Sequence, residues 1–168
     1  MVTQLPVRIE FSLPEGWQAA PPDEVGAPGV AFVALHPASA NGFTANLTIA
    51  GQFREPNMTM DAIADESVSR LADTAGSVRV RKRTEVGSDD APGITQVLDL
   101  QLGAEHPLEL VQCQVYVSMQ DVHDPAKRAV LELVLTCTPA QLDDVFEDFQ
   151  RFVRTVRAAG PGREPREG

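Results

Sequence analysis

The sequence lacks the residue patterns on which catalysis or cofactor binding usually depends. Its three histidines, His36, His106 and His123, have no second histidine or cysteine at the spacing of metal ligands. Neither cysteine belongs to a Cys-x-x-Cys pair or begins a helix that would lower its pKa. No Gly-x-Ser-x-Gly turn, phosphate-binding loop or dinucleotide-binding glycine pattern is present. We therefore predict no catalytic residue, no metal site and no cofactor, and we expect the protein not to be an enzyme.

Positive charge and long apolar runs are also scarce. The chain of 168 residues has 14 Lys and Arg against 24 Asp and Glu, a formal net charge of −10. This balance argues against binding to nucleic acids or to anionic membranes, both of which attract cations. No apolar run approaches the roughly 20 residues that span a bilayer. The first eleven residues lack a basic start, an apolar core and a cleavage site, so we expect a cytoplasmic protein unless a leader was removed.

The most regular part of the sequence runs from Leu108 to Val156 and predicts two strands followed by a helix. Alternation in the first strand places one apolar set on one face: Val111, Cys113, Val115, Val117 and Met119. The second strand does the same with Ala129, Leu131, Leu133, Leu135 and Cys137. Val130 and Val134 make the second strand apolar on both faces. We therefore expect a covering layer on each side of the sheet.

The turn between these strands determines which residues face each other. Apolar faces match only if the residue numbers of each pair have an even sum. A turn centred on Pro125 meets this condition and would place Cys113 beside Cys137. A disulfide across the strands is then geometrically conceivable, although buried free thiols are the simpler expectation in a reducing cytoplasm.

The helix that follows has a clear beginning and one apolar stripe. Thr138 suits the N-cap, Pro139 suits the first helical position, and Gln141 completes a capping box with Thr138. The stripe consists of Leu142, Val145, Phe146, Phe149, Phe152, Val153 and Val156. Acidic residues near the beginning and arginines near the end of the helix are typical of a solvated face.

The remaining elements follow from the same kinds of pattern. We predict strands over residues 7–13, 30–36, 43–52, 78–83 and 94–102, and a helix over 60–75 with Thr59 as its N-cap. Residues 18–29 are predicted to be an irregular loop, and residues 159–168 a disordered tail. The order β-β-β-α-β-β-β-β-α predicts one domain over residues 1–158. Its class is α+β: an α/β/α sandwich with a mostly antiparallel sheet of about seven strands.

Two features could belong to a partner surface. Residues 78–83 alternate between two sets, Val78, Val80 and Lys82 against Arg79, Arg81 and Arg83. They form either a surface for an acidic partner or simply a charged edge strand, where Lys and Arg discourage edge-to-edge pairing. Trp17, with the proline-rich loop behind it, either borders a binding groove or closes one end of the core. The candidate partner-binding residues are therefore Trp17, Arg79, Arg81, Lys82 and Arg83.

A turn and a helix in this sequence resemble those of a known fold family. The first strand ends in Leu13-Pro14-Glu15-Gly16-Trp17, and the last helix carries the stripe Phe146, Phe149, Phe152 behind its proline cap. With the order of strands between them, these features resemble the PsbP-like fold over about residues 6–158. That fold is shared by a photosystem II extrinsic subunit, a yeast Ran-binding import factor, LpqN-type lipoproteins and Eag-type effector chaperones. The chain departs from the LpqN type because it has no lipoprotein cysteine near its start.

The resemblance implies a binding or chaperone scaffold, since its members are mostly not enzymes, and it supplies no catalytic residues. Our leading hypothesis is a cytoplasmic, non-catalytic adaptor or chaperone for a secreted or membrane-targeted protein partner. The alternative is a small-ligand carrier or enzyme with a pocket between the sheet and a helix, near Trp17 and Tyr116. A third hypothesis is salt-sensitive binding to a membrane surface through the basic strand.

Overall fold

The structure, a computed structural model, describes residue 5 and residues 8–22, 30–37, 43–55, 57–88, 91–103, 105–120 and 128–158. The strands in this part of the chain are β1 (Ile9–Glu10), β2 (Gln18–Ala20), β3 (Phe32–Leu35), β4 (Asn46–Arg54), β5 (Ser77–Gly87), β6 (Pro92–Leu102), β7 (Leu108–Gln120), β8 (Arg128–Cys137) and β9 (Arg157–Ala158). The helices are α1 (Met60–Thr74), between β4 and β5, and α2 (Pro139–Thr155), between β8 and β9.

Seven of these strands form one sheet in the order β2-β3-β4-β8-β7-β6-β5. Every pair of neighbouring strands is antiparallel, so the predicted fold class is confirmed. β2 and β5 are the edges, and the edge position of β5 agrees with the prediction from its charge. β1 and β9 form a separate two-stranded sheet.

The N-terminal part of the sheet differs from the prediction in detail. The strand predicted over residues 7–13 is only two residues long and lies outside the main sheet, paired with β9. In its place, Gln18–Ala20 forms edge strand β2 against β3, although we predicted an irregular loop there. This segment has no alternation and no β-branched residue, so its hydrogen bonds to β3 decide its conformation rather than local preference.

Helix α2 covers one face of the sheet, which we call the α2 face. The predicted capping box is present, because the Thr138 hydroxyl accepts from the Gln141 amide and the Gln141 side chain accepts from the Thr138 amide. Val145, Phe149 and Phe152 are buried in the main core, among the inward side chains of β4, β7 and β8. Burying each such side chain stabilises the fold by about 1.5–3 kcal/mol before entropy is counted.

Helix α1 covers the other face, the α1 face. Its predicted cap is confirmed, since the Thr59 hydroxyl accepts from the Ala62 amide at 3.1 Å. Ile63 and Ala64 pack against Tyr116 and Val130 on this side of the sheet. Val130 and Val134 are both buried, and with a helix on each side the expectation of two covering layers is confirmed.

In the β7–β8 hairpin, each residue of β7 faces a residue of β8 that lies two positions earlier than predicted. Cys113 faces Leu135 and Cys137 faces Val111, so the prediction that the two cysteines face each other is wrong. The even sum is retained, which keeps both apolar sets on the α2 face. Both cysteines are buried free thiols, which is the simpler of the two alternatives predicted from the sequence. The predicted turn centre at Pro125 and the predicted tail 159–168 lie outside the described residues.

Candidate functional site

Trp17 lies in the core of the α2 face, next to edge strand β2. Its side chain is 6% exposed, and its indole nitrogen donates to Asp148 Oδ2 on α2 at 3.0 Å. The ring also meets His36 edge to face, with centroids 5.1 Å apart. These contacts agree with the expectation that Trp17 closes part of the core, while its role in partner binding stays a prediction. Because β2 and β5 are opposite edges, the fold does not bring Trp17 and the basic strand together.

The basic strand β5 contains a bulge that redistributes its charges between the two faces. Val80 faces Leu98 and Lys82 faces Val97, so Arg81 is the extra residue on β5. Lys82 therefore lies on the α2 face with Arg81, and Arg83 lies on the α1 face. The predicted strict alternation is interrupted at this point, because a bulge shifts every later side chain to the other face.

Most of these cations are bound to groups of the same chain. Arg79 and Arg81 share Asp99, and the hydrogen bond from Arg81 lowers the pKa of that carboxyl. Arg83 donates to Asp65 at 2.7 Å and to the buried Gln96 at 2.9 Å. Lys82 has no ion partner among the residues described. Two guanidinium groups on one carboxylate still leave an excess of positive charge on the α2 side of β5.

Beside Lys82, an apolar groove of about 400 Å³ opens between α2 and strands β5, β6 and β7. Its apolar lining consists of Val97, Cys113, Val115, Phe146, Phe149 and Val153. Phe146 is 37% exposed although it belongs to the apolar stripe of α2. Arg154 lines the groove as well and, like Lys82, has no ion partner in the described part of the chain. We call this feature the α2 groove.

The α1 face carries a second cavity of about 440 Å³, which we call the α1 cleft. Helix α1 packs over β5 and β6 and leaves part of β4 and β8 uncovered beside it. The floor includes Thr48 of β4, Tyr116 of β7 and Glu132 of β8, and Ser67 and Arg70 of α1 form a wall. Polar and apolar side chains both line it, which suits a ligand of mixed character.

A buried network of amides holds one side of the cleft in place. Gln96 donates to Gln114 at 2.6 Å, and Gln114 donates to the Ser67 hydroxyl at 3.0 Å. Gln114 also donates to Gln112 at 2.9 Å. Among the residues described, every buried side-chain nitrogen and oxygen has a hydrogen-bond partner. A fully satisfied network of this kind gives a rigid floor.

Glu132 and its neighbours form the ionisable part of the cleft. Glu132 lies between Ala50 and Tyr116 on the adjacent strands, and Arg70 approaches its carboxylate to 3.6 Å. Burial is the main reason why the pKa of the Tyr116 hydroxyl is raised, and the charge of Glu132 raises it further. Tyr116 therefore remains protonated, and its hydroxyl donates to Gln114 Oε1 at 3.5 Å.

Sequence reasoning missed Glu132 and Arg70, although one signal was present. Glu132 is the single polar residue between Ala129 and Leu135, a stretch of β8 that is otherwise apolar on both faces. The expectation of one pocket near both Trp17 and Tyr116 is wrong, because these residues belong to cores on opposite faces of the sheet. Tyr116 lines the α1 cleft, and Trp17 packs under α2.

Among the described residues, no three His, Cys, Asp or Glu side chains gather in a way that could hold a metal ion. Neither α1 nor α2 is long and apolar enough to cross a membrane.

Comparison with known proteins gives a likeness of fold only. No protein-family model and no curated protein matches the chain. Among solved structures, LpqN of Mycobacterium tuberculosis, a protein involved in cell envelope biogenesis, is 8% identical, with a TM-score of 0.65 over 90% of this chain and 83% of its own. The cyanobacterial PsbP protein CyanoP of Synechocystis is 13% identical, with a TM-score of 0.58 over 90% and 86%. The Ran-binding protein Mog1p of Saccharomyces cerevisiae is 10% identical, with a TM-score of 0.55 over 89% of each chain.

At identities this low, the comparison shows a common backbone fold and does not show a common function. The three proteins are unlike one another in name and role, yet all three are PsbP-like and the chain covers most of each. The resemblance inferred from the proline-glycine-tryptophan turn and the phenylalanine stripe is thereby confirmed, and the chain has the PsbP-like fold.

Proposed function

We propose that the chain is a non-catalytic, protein-binding module of the adaptor or chaperone type, and that its α2 groove receives the partner. The observation that carries this proposal is an apolar groove bordered by cations on a strongly acidic chain. The partner segment that fits it combines apolar side chains with acidic ones.

The apolar lining supplies the attraction. Phe146 is 37% exposed, and Val97 and Val153 are half-buried, so a partner side chain placed in the groove removes apolar surface from water. Such burial contributes about 25 cal/mol per Å². Exposed apolar patches with a polar border are typical of protein-binding surfaces.

The cations supply selectivity. Lys82 and Arg154 line the groove, and the excess charge of Arg79 and Arg81 over Asp99 continues along β5. The chain as a whole has a net charge of −10, so an acidic segment is repelled by most of the surface and attracted here. Complementary charge of this kind raises the association rate and excludes wrong partners.

The comparisons support the coarser statement that a chain of this fold binds protein. Mog1p is a Ran-binding protein of the same fold, and this likeness serves as an analogy. The cytoplasmic location, the secreted or membrane-targeted nature of the partner and the contribution of Trp17 stay predictions.

The experiment is affinity purification from the native host, followed by mass spectrometry, with four forms of the protein. Phe146→Asp removes the exposed apolar anchor, and Lys82→Glu reverses the charge of one of the two cations that line the groove. Leu108→Asp is the matched control, because Leu108 is 36% exposed and lies on β7 outside the groove. We expect one dominant partner with the wild type and with Leu108→Asp, and at least about tenfold less of it with the two groove variants.

Circular dichroism of each variant ensures that only folded proteins are compared. A partner retained by Phe146→Asp and Lys82→Glu would remove the groove from the proposal. A wild-type sample without any reproducible partner would contradict the protein-binding function itself.

A further inference from the structure

The carboxylate of Glu132 is an unusual group at the centre of a sheet. The next residues on the same face of β8 are Val130 and Val134, which are 3% and 5% exposed. Arg70 is its ion partner at 3.6 Å, and the Arg70 side chain is 57% exposed to solvent. An ion pair this long and this exposed contributes about 0–1 kcal/mol. Stability alone therefore gives little reason for a charge at this position.

The cleft places opposite charges and neutral hydrogen-bonding groups around one space. Glu132 offers an anionic acceptor on the floor, and Arg70 offers a planar, forked cationic donor on the wall. The Tyr116 hydroxyl lies beside Ser67 and Glu132 and donates to Gln114 Oε1 at 3.5 Å, so its oxygen can accept from a ligand. Thr48 and Thr136 add hydroxyl groups on the opposite side.

The rest of the lining is partly polar, with Gln52, Arg54, Gln112 and Gln114, and partly apolar. Ala50, Ile63, Leu71, Val130 and Val134 surround the polar groups. The cavity volume of about 440 Å³ falls within the range of roughly 300–1,000 Å³ that is typical of small-molecule sites. A small ligand with two opposite charges and an apolar body would match all three parts of the lining.

We propose that the α1 cleft binds a free α-amino acid with an apolar side chain, its ammonium group on Glu132 and its carboxylate on Arg70. Both charged groups of an α-amino acid are attached to one carbon, so they fit the short distance between Glu132 and Arg70. The apolar side chain contacts the alanine, leucine and valines of the lining. This site lies on the face opposite the α2 groove and does not depend on the protein-binding proposal.

The first test uses the unmodified protein and compares related probes. Isothermal titration calorimetry and amide chemical shifts are measured with L-leucine, L-valine, L-methionine and L-phenylalanine. The best of the four is then compared with its amide, which lacks the carboxylate, and with its N-acetyl derivative, which lacks the ammonium. We expect saturable binding with shifts at Ser67, Tyr116 and Glu132, and affinities at least about tenfold lower for both derivatives.

The second test uses variants of the two charged residues. Glu132→Gln and Arg70→Gln should each weaken binding of the amino acid about tenfold. Arg70→Gln should leave binding of the amide unchanged, because the amide has no carboxylate for Arg70 to hold. Arg151→Gln is the control, since Arg151 pairs with Glu147 on α2, on the other face of the sheet.

Three results would overturn the proposal. The first is a wild-type protein that binds none of the four amino acids at millimolar concentration. The second is an N-acetyl derivative that binds as well as the free amino acid. The third is undiminished binding by both Glu132→Gln and Arg70→Gln. The derivatives are titrated into the wild-type protein, so the second result can be obtained even if a variant does not fold.

Discussion

At the scale of single residues, the two thiols illustrate how burial controls chemistry. Burial raises the pKa of Cys113 to about 11 and that of Cys137 to about 12, with the nearby Arg81 acting in the opposite direction. Thiols with such values remain neutral at physiological pH, and only the thiolate is nucleophilic. Since each cysteine faces an aliphatic residue across the hairpin, neither is aligned with the other for a disulfide.

We expect both thiols to resist alkylation by iodoacetamide in the native protein at mildly alkaline pH. Denaturation should make both reactive, because unfolding exposes them to the reagent and returns their pKa to near the ordinary value of 9.0. The folded state keeps protons that the unfolded state releases, so the free energy of unfolding should fall as the pH rises from about 9 towards 11.

Mass spectrometry after timed labelling provides the measurement. A Ser88→Cys variant supplies an exposed thiol at the end of β5 as the control. Native cysteines that react as quickly as this added one would contradict the prediction.

At the scale of elements, helix α2 has two functions, and each is carried out by a different phenylalanine. Phe149 is 2% exposed and belongs to the core, whereas Phe146 is one helical turn earlier and 37% exposed. The same apolar stripe therefore both stabilises the fold and forms one wall of the α2 groove.

We expect Phe149→Ala to lower the free energy of unfolding by about 3–5 kcal/mol, as is typical of a buried phenylalanine. Phe149→Asp should prevent folding, because it places an unpaired charge in the core. Phe146→Ala is the matched comparison and should cost only about 1–2 kcal/mol, since 37% of the Phe146 surface is already in water. Urea unfolding followed by circular dichroism measures all three, and equal losses for the two alanine variants would disprove the separation.

Strand β5 shows how a single irregularity selects a surface. Without its bulge, Lys82 and Arg83 would each lie on the other face. The bulge instead assigns Lys82 to the α2 groove and Arg83 to the carboxylates of α1. The extra residue also twists an edge strand whose charges discourage pairing with other sheets.

At the scale of the whole molecule, one sheet is shared by two helical layers. Strands β7 and β8 contribute to the core under α2 with one set of side chains and to the core under α1 with the other. Loss of either layer exposes apolar residues of the same strands. The two cores should therefore lose their structure together.

We expect a single cooperative transition in urea. The fluorescence of Trp17, the only tryptophan, reports on the α2 core, and far-ultraviolet circular dichroism reports on the entire backbone. The two curves should coincide in midpoint and slope. A fluorescence change that precedes the change in circular dichroism would show that the α2 layer unfolds independently.

Elements whose signals are local could be predicted from the sequence. The caps at Thr59 and Thr138, the inward residues of β8 and the edge position of β5 follow from periodicity, side-chain hydrogen bonding and charge within a few residues. The PsbP-like fold could also be predicted, because the turn and the phenylalanine stripe that indicate it are local patterns.

The faces and partners that those elements meet depend on long-range packing. β2 has no pattern of its own, and the β7–β8 register and the β5 bulge depend on pairing between strands. The pairing of Arg81 with Asp99 joins residues 18 apart in the chain, and the position of Glu132 in the cleft beside α1 follows from how that helix packs. Such contacts depend on the sum of many weak interactions across the sheet, so no short stretch of sequence contains them.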